Sequence, residues 1–547
     1  MNTSLSAFSF KKQANAVEWK LLVFLVLFMD VKLLVKLAAI VMICILQPDF
    51  HFGFKLKNSR LPLFYLLVIV IAIINWLIYR NYSLNYAVVV LTAILFWAAC
   101  ILAIQQVKLF VEQTDVVILH NTLLVFFVLN IIASLFNLSA ILMEIGLRNP
   151  FLYQGDYQKY FINTGDHIKG ISFDSSTTNA VINSFGIVYF LYRRKYLLVI
   201  ACMIILLLTA SNFTNAVLLL VFAALFIFKT TREQKSIMVT CVFLLVIFLT
   251  KFSPQNDNYI NTVFEKYILK KEHKNVVPEK IIPIRERPDS LLDQAGKKEK
   301  IATLYLDSLE RESLKKQGLA GIASGKATPE VVKERPQIPG DSIHTAKFQW
   351  KRDTTASQRQ ILSYVEKNHV EPVAINSRYD NGTPGKILAI KESVAFFKQH
   401  PARIITGDGA GNFSSKLAFR ATGLKIAGGY PKSLVYNNKD FLDNHFSLYT
   451  YFFTKNAASH SLLHSPASAY DQLMTEYGIA GITAFLFYYA GFFVKHIKKL
   501  SYGIPLLGMM LVVFMVDYWF EQLSVVLLFE LMMFVNIKEN TKTVAND

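Results

Sequence analysis

Charged residues are scarce in this sequence, and their scarcity excludes an ordinary soluble protein. Asp, Glu, Lys and Arg make up 18% of the 547 residues, whereas hydrophobic residues make up 53% and the mean hydropathy is +0.36. A typical soluble domain has about 25% charged residues. The composition therefore indicates a membrane protein, for which the lipid bilayer is the main solvent.

Cysteine is also rare, and its distribution restricts the chemistry of the hydrophilic part of the chain. The four cysteines, Cys44, Cys100, Cys202 and Cys241, lie inside apolar segments. The hydrophilic stretch of roughly 253–465 has none, which excludes disulfides, a thiol nucleophile and cysteine metal ligands there. His460 and His464 are four residues apart but have no third ligand in the pattern, so we predict neither a metal site nor a cofactor.

Long apolar segments are abundant, nine before the hydrophilic stretch and three after it. Because a membrane-spanning helix needs about 20 apolar residues, we predict an all-α fold, a polytopic membrane helix bundle of about 12 spans. The predicted spans are 17–31, 32–47, 61–79, 83–105, 115–140, 178–193, 195–210, 212–229, 236–252, 467–493, 503–519 and 520–537. Asp30, Lys32 and Lys36 interrupt the first pair, and one long tilted helix there would reduce the number to eleven.

Lys and Arg accumulate in short loops that follow the even-numbered predicted spans. Such loops stay in the cytoplasm because translocation of basic residues is disfavoured. The residues concerned are Lys55, Lys57, Arg60, Lys108, Arg193, Arg194, Lys195, Lys229, Arg232, Lys235, Lys495, Lys498 and Lys499. We therefore predict that both termini are cytoplasmic, and that the large loop after the ninth span lies outside, as does the loop of residues 145–177.

This topology divides the chain into five predicted parts. These are membrane helices 1–9 (1–252), a basic and partly disordered insert (253–353), a helical outer domain (354–466), membrane helices 10–12 (467–537) and a cytoplasmic tail (538–547). The insert is either a solvated linker or a surface that attracts anionic lipid head groups or a phosphate-bearing substrate. We expect no nucleic-acid partner, because the basic residues of the insert are not regularly interleaved with aromatic residues and are not predicted to be cytoplasmic.

A glycine-rich run, 407–413, follows a predicted helix of the outer domain. A dinucleotide-binding fingerprint needs glycine at its first, third and sixth positions, after a strand. Here Gly407 and Gly409 are followed by Gly411 and by Asn412 at the sixth position, so we reject that interpretation. We predict a structural turn that needs positive φ, and direct contact of the turn with a ligand is the alternative.

Ser465 and Pro466 mark the predicted start of the tenth helix. Serine is a favoured N-cap and proline a favoured first helical residue. We therefore expect this helix to begin at Pro466 on the outer side, where its N-terminal dipole favours a negatively charged group.

The order of these parts resembles the O-antigen ligase and polymerase family, integral membrane glycosyltransferases that use polyprenyl-diphosphate-linked glycans. The resemblance is carried by Arg378, the helical segment 386–400 followed by Pro401, the turn 407–413, and the tenth span with Gly478 and Gly481. Segments 170–180 and 209–212 are similar to the family's sixth- and eighth-helix openings. Most of the chain is covered, except the basic insert at roughly 256–350.

The sequence departs from the family at the positions that carry its chemistry. Ala467 stands where the family has a histidine, Asn212 where it has an arginine, and His167 or Lys169 where it has a second arginine. In the family the histidine is the proposed catalytic or substrate-activating residue, and the arginines hold the diphosphate. A methyl group accepts no proton, so an active protein needs a relocated base.

The resemblance implies a reaction that needs cations for the leaving diphosphate, a base for the acceptor hydroxyl and an apolar groove for the polyprenyl tail. The candidate catalytic residues are His464, His460 and Asp471, with His445 as a further option. The candidate substrate-binding residues are Lys169, Arg378, Arg403, Arg420, Asn212 and Ser468.

The resemblance therefore implies a bacterial inner-membrane protein with a large periplasmic loop. We expect it to move an undecaprenyl-diphosphate-linked glycan to a lipid, glycan or protein acceptor in lipopolysaccharide or other surface polysaccharide biosynthesis. The alternative is a catalytically silent relative that binds a lipid-linked glycan or scaffolds an envelope assembly complex. A transporter fits less well because no internal repeat is visible, although Asp517, Glu521 and Glu530 lie in predicted spans.

Overall fold

A computed structural model describes residues 16–79, 81–145, 149–152, 164–228, 230–253, 300, 363, 384–424, 429–449, 462 and 465–544. The chain forms two compact units, one of residues 1–257 with 344–547 and one of residues 258–343. Apart from Lys300, the second unit lies outside the described residues. The fold described below is that of the first unit.

All regular elements in the described part are helical. The main helices are α1 (Trp19–Met29), α2 (Leu33–Leu46), α3 (Phe64–Tyr79), α4 (Leu84–Gln113), α5 (Val116–Ile145), α6 (Ser176–Tyr192), α7 (Tyr196–Leu208), α8 (Asn212–Ile227), α9 (Arg232–Ile247), α10 (Gly385–Gln399), α11 (Lys416–Ala421), α12 (Ala469–Ala484), α13 (Gly503–Val513), α14 (Trp519–Gln522) and α15 (Ser524–Val544). The predicted all-α fold is confirmed for these residues.

Helices overlap each of the predicted spans, but their lengths differ. Four are long and apolar enough to cross a membrane, namely Leu84–Gln113, Val116–Met143, Arg232–Phe252 and Ala469–Val494. Six others, α1, α2, α3, α7, α8 and α13, are shorter apolar helices. Helices α1 and α2 are separate, because α1 ends at Met29 and α2 begins at Leu33, so the single long helix that would give eleven spans is not formed.

The basic loops lie together at one end of the bundle. Arg60 pairs with Glu112 at 2.6 Å, and Lys495 Nζ donates to the Lys57 carbonyl at 3.0 Å. At the same end, Arg193 pairs with Glu539 at 2.7 Å. Loops that are far apart in the sequence therefore share one face, as their common charge predicts.

The opposite end of the bundle is covered by residues 384–424 and 429–449. Asn81 donates to the Tyr436 hydroxyl at 3.2 Å, and Tyr430 reaches Thr92, two turns inside α4, at 2.8 Å. Beneath this segment, three aromatic rings pack around Phe64 of α3 at centroid distances of 5.1 to 5.7 Å: those of Trp97 in α4, Phe485 in the π-helical turn that follows α12, and Phe520 in α14. This aromatic core fixes the helices that carry the polar residues described next.

Candidate functional site

Helix α12 is broken at Gly478, where φ is 67° and ψ is −165°. The groups freed by the break bond to the segment 404–409. Ile479 N and Ala480 N donate to the carbonyls of Ile404 and Ile405 at 2.9 and 3.0 Å, while Asp408 N and Gly409 N donate to the carbonyls of Thr475 and Glu476 at 2.8 and 3.1 Å. Four backbone hydrogen bonds thus join the segment 404–409 to the broken helix.

The glycine turn adopts conformations for which side chains are unsuited. The φ values of Gly407, Gly409 and Gly411 are +81°, +100° and +72°. A Cβ on Gly409 would lie 2.7 Å from Asn75 Oδ1, and one on Gly407 would collide with the Glu476 backbone. Glycine is needed here both for positive φ and for close approach.

Glu476 of α12 supports the turn from below. Its carboxylate, in a residue only 1% exposed, accepts from Gly411 N at 2.9 Å and from Phe413 N at 3.3 Å. Asn412 is held by Tyr86 and Tyr436, each at 3.0 Å. The amide groups of this turn are therefore occupied by the protein's own acceptors, which argues for a structural role over phosphate binding.

Arg403 is brought to the turn but is already neutralised. Its guanidinium pairs with Asp408 and also with Asp440 at 2.8 Å, and it lies 5.1 Å from the centre of the Tyr79 ring. Two carboxylates compensate its single charge. Arg403 therefore stabilises the segment that contains Asp408 and Asp440, and it is a poor candidate for holding a diphosphate in this conformation.

Asp471 is deeply buried, at 2% exposure. The hydroxyls of Ser393 and Ser414 donate to its two oxygens, each at 2.6 Å. Both carboxylate oxygens thus have partners, and no substrate hydroxyl can reach them without displacing a serine. In this conformation Asp471 is a structural carboxylate that ties α10 and the 414 segment to α12.

His445 is connected to Asp471 through Tyr518 and Ser414, and it is also inaccessible. Its Nε2 lies 2.6 Å from the Tyr518 hydroxyl, which is 3.3 Å from Ser414 Oγ. Burial lowers the pKa of His445 to about 3. The imidazole is therefore neutral at physiological pH, and its burial keeps it from acting on a substrate.

Lys386 covers the position that resembles the family's histidine. Its ammonium donates to the Ala467 carbonyl at 2.5 Å and to the Val516 carbonyl at 3.1 Å. Burial lowers the pKa of Lys386 to about 8, against the opposing effects of Asp517 and Asp471. Sequence reasoning did not single out Lys386 as a site residue, because a lysine in the first turn of an amphipathic helix is usually solvated.

The start of α12 differs from the prediction. The N-cap is Ser468, with φ −158° and ψ 135°, so the helix begins at Ala469 and not at Pro466. Ser465 Oγ instead accepts from Ala467 N at 3.4 Å. The prediction was wrong by three residues because Lys386 and the Phe514 carbonyl, which accepts from Ala469 N at 2.9 Å, hold the preceding backbone in an extended form.

Lys169 and Asn212 belong to a second group of loops at this end. The amides of Lys169 and Gly170 donate to Asn137 Oδ1 at 3.1 and 2.9 Å. The adjacent Gly165 packs so closely on the turn before α8 that a Cβ would lie 2.7 Å from Ala210 Cβ. The segments that precede α6 and α8 therefore meet, with Lys169 and Asn212 both half-buried.

A third polar group surrounds Glu521, and sequence reasoning identified only one of its cations, Arg420. Glu521 Oε1 accepts from Gln472 Nε2 at 2.7 Å. Lys416 and Arg420, four residues apart on α11, are both half-buried and lie within electrostatic range of this carboxylate. A cavity of about 10 Å³, lined in part by Gln472, Leu417 and Glu521, adjoins the group and has room for about one water.

The remaining candidates, Arg378, His460 and His464, lie outside the described residues. Within the described part, no group of three or more His, Cys, Asp or Glu residues is arranged to hold a metal ion. Comparisons of the chain with protein-family models, with curated proteins and with solved structures give no match. The function must therefore be inferred from the geometry and from the resemblance of the motifs.

Proposed function

We propose that this protein is an inner-membrane glycosyltransferase of the O-antigen ligase or polymerase type. It moves a polyprenyl-diphosphate-linked glycan to a lipid, glycan or protein acceptor during assembly of a surface polysaccharide. The observation that carries the proposal is the interlock between the turn 407–413 and the broken helix α12, since these two motifs carry the resemblance to that family and here form one structure.

The distribution of charge supports the location of the reaction. The basic loops share one end of the bundle, and the polar groups around Asp471 and Glu521 lie near the other end. With the basic end in the cytoplasm, the polar groups face the periplasm, where the lipid-linked glycan and its acceptor would meet.

The surface of the helices suits a lipid-linked substrate. Apolar side chains near the outer ends of α3 and α4 are exposed, for example Leu77 at 56% and Leu84 at 72%. Exposed apolar surface of this kind is stable only against lipid or another apolar partner. A polyprenyl tail can lie along such helices while its diphosphate reaches the polar end.

A catalytically silent relative is the second candidate, and one observation favours it. Ala467 is 6% exposed, and its carbonyl is covered by the Lys386 ammonium. The position that resembles the family's histidine therefore offers no base. Such a protein would bind the lipid-linked glycan, or hold an assembly complex together, without turnover.

Release of the carrier lipid tests these two functions. Purified protein in lipid nanodiscs, mixed with an undecaprenyl-diphosphate-linked glycan and an acceptor, should release free undecaprenyl diphosphate if it is a transferase. Saturable binding without release would support the silent relative. Absence of binding, with normal surface glycans in a deletion strain, would overturn both. If the protein is active, loss of glycan length in the deletion strain identifies a polymerase, and loss of glycan attachment identifies a ligase.

A further inference from the structure

We propose that Glu521 is the proton acceptor of this reaction, and that Lys416 and Arg420 hold the departing phosphate group. The inference rests on the proposed function, whose site it specifies. Ala467 stands at the position where the family has its histidine. Among the described residues, neither Ala467 nor the enclosed Asp471 and His445 can accept a proton from a substrate, so the base proposed is a further residue within this part of the chain, at the same end of the bundle.

Glu521 is oriented and incompletely paired, as a base must be. Gln472 Nε2 fixes one carboxylate oxygen at 2.7 Å, whereas Oε2 is buried and has no hydrogen-bond partner. An unpaired buried carboxylate oxygen is costly. Unlike His445, Glu521 is only partly buried as a residue and lines a cavity, so a hydroxyl that arrives with the substrate from that side would satisfy this oxygen. The neighbouring Asp517 has no unpaired oxygen, because Tyr518 N and Gln522 Nε2 donate to its two oxygens at 2.7 and 2.5 Å.

Lys416 and Arg420 form the matching cationic surface. Residues four apart on a helix are neighbours on one face, where like charges repel each other. Within the described part of the chain, neither forms an ion pair closer than 4 Å, and Arg420 Nε is buried without a partner. A phosphate group between them would replace repulsion with charge-assisted hydrogen bonds.

Lys36 of α2 lies near the same group of residues. Its ammonium is held by the Phe28 carbonyl at 2.7 Å and by Ser524 Oγ at 2.5 Å, within electrostatic range of Lys416. Ser524 follows Glu521 by three residues, so the α2 lysine lies near the same turn. Protein oxygens thus occupy two of the three N–H donors of the Lys36 ammonium, and we assign Lys36 no direct contact with the phosphate group.

The proposed step conserves atoms and charge. The acceptor hydroxyl oxygen bonds to the anomeric carbon of the glycan as the bond between that carbon and the phosphate oxygen breaks. The hydroxyl proton passes to Glu521 Oε2, and the bonding electrons leave with the diphosphate, whose charge Lys416 and Arg420 stabilise. Glu521 then releases the proton to water.

The test compares matched variants of the full chain in nanodiscs. Glu521→Gln should lower release of undecaprenyl diphosphate by about 10²- to 10⁴-fold, the usual contribution of a general base, while binding of farnesyl diphosphate is retained. Glu521→Ala should regain part of its activity with added formate but not with chloride. Lys416→Ala and Arg420→Ala should weaken farnesyl diphosphate binding. This binding is measured by tryptophan fluorescence in a variant that keeps Trp97, which lines the adjoining cavity, and has the other four tryptophans replaced by phenylalanine.

The control is Lys391→Ala, which removes an exposed lysine of α10 and should change neither binding nor release. An active wild type with an equally active Glu521→Gln variant would overturn the role of Glu521 and leave the proposed function intact. Unchanged binding in the Lys416→Ala and Arg420→Ala double variant would overturn the cation assignment. A wild type that binds the lipid but releases nothing would overturn both the inference and the transferase function.

Discussion

Gly407 and Gly478 approach each other so closely that neither can carry a side chain. A Cβ on Gly478 would lie 2.6 Å from Gly407 N, and a Cβ on Gly407 would collide with the backbone of Glu476 and Tyr477. The two glycines come from segments about seventy residues apart. They determine whether the segment 404–409 and the broken helix α12 fit together.

Replacing Gly478 should destabilise the protein more than replacing an ordinary helical glycine. Its φ of 67° and ψ of −165° fall in a region that is essentially restricted to glycine, so Gly478→Ala should cost roughly 1–3 kcal/mol from backbone strain alone. The matched control is Gly508→Ala, because a Cβ there meets nothing within 4 Å. Thermal unfolding in detergent measures both. Equal melting temperatures for the two variants would contradict the interlock.

Glu476→Gln should loosen the glycine turn. A carboxylate accepts from both Gly411 N and Phe413 N, whereas an amide offers one oxygen and turns an NH₂ group toward the other donor. The loss of a buried hydrogen bond of this kind costs roughly 1–3 kcal/mol. Limited proteolysis near residue 410 should become faster. Glu392→Gln, at a half-exposed position of α10, serves as the control and should leave the proteolysis rate unchanged.

Acid should weaken the fold through His445. Its pKa is lowered from 6.5 to about 3 by burial, so the unfolded chain binds a proton below pH 6.5 that the folded protein does not. Stability contributed by the neutral histidine is present above pH 6.5 and is lost as the pH falls, with a slope approaching about 1.4 kcal/mol per pH unit.

The His445 prediction is measured as the pH dependence of thermal unfolding. His445→Gln should be less stable than the wild type at neutral pH but should lose less stability on acidification. His51→Gln, which alters a side chain that is 98% exposed, should keep the wild-type slope. If the His445 variant also keeps that slope, the histidine is not the acid-sensitive group.

Labelling of single cysteines should reveal the sidedness of the loops. Cysteines introduced at Lys57, Lys195, Lys235 and Lys498 should react only after the cytoplasmic side is exposed, because basic loops resist translocation. Cysteines near Gly165 and within residues 276–345 should react from outside. Cytoplasmic labelling of the 276–345 segment would overturn the topology and, with it, the proposed function.

The helices were predictable because their main determinant is local. A run of apolar residues long enough for the bilayer shows directly in the sequence, and the helices overlap each predicted segment. The ends of the helices were predicted less accurately. The start of α12 at Ala469 depends on contacts of its preceding residues with Lys386 and Phe514, which are distant in the sequence.

The polar site was only partly predictable, because its contacts also join residues that are distant in the sequence. The interpretation of 407–413 as a turn follows from glycine spacing, and its three glycines have positive φ. The candidates Asp471 and Arg403 were chosen for their chemical type, but the structure surrounds both with partners. Gln472, Lys416 and Glu521 have no recognisable spacing in the sequence, because three separate segments bring them together.

The four backbone hydrogen bonds at the break in α12 mean that the segment 404–409 is part of the helix bundle and cannot be removed from it without loss. Residues 404–409 supply partners that a continuous helix would supply to itself, and unpaired backbone groups at a membrane boundary are costly. Deleting this segment would therefore damage the bundle as well as the site. Conversely, the segment expressed alone would lack the helix on which its turn is built, so the two parts must fold together.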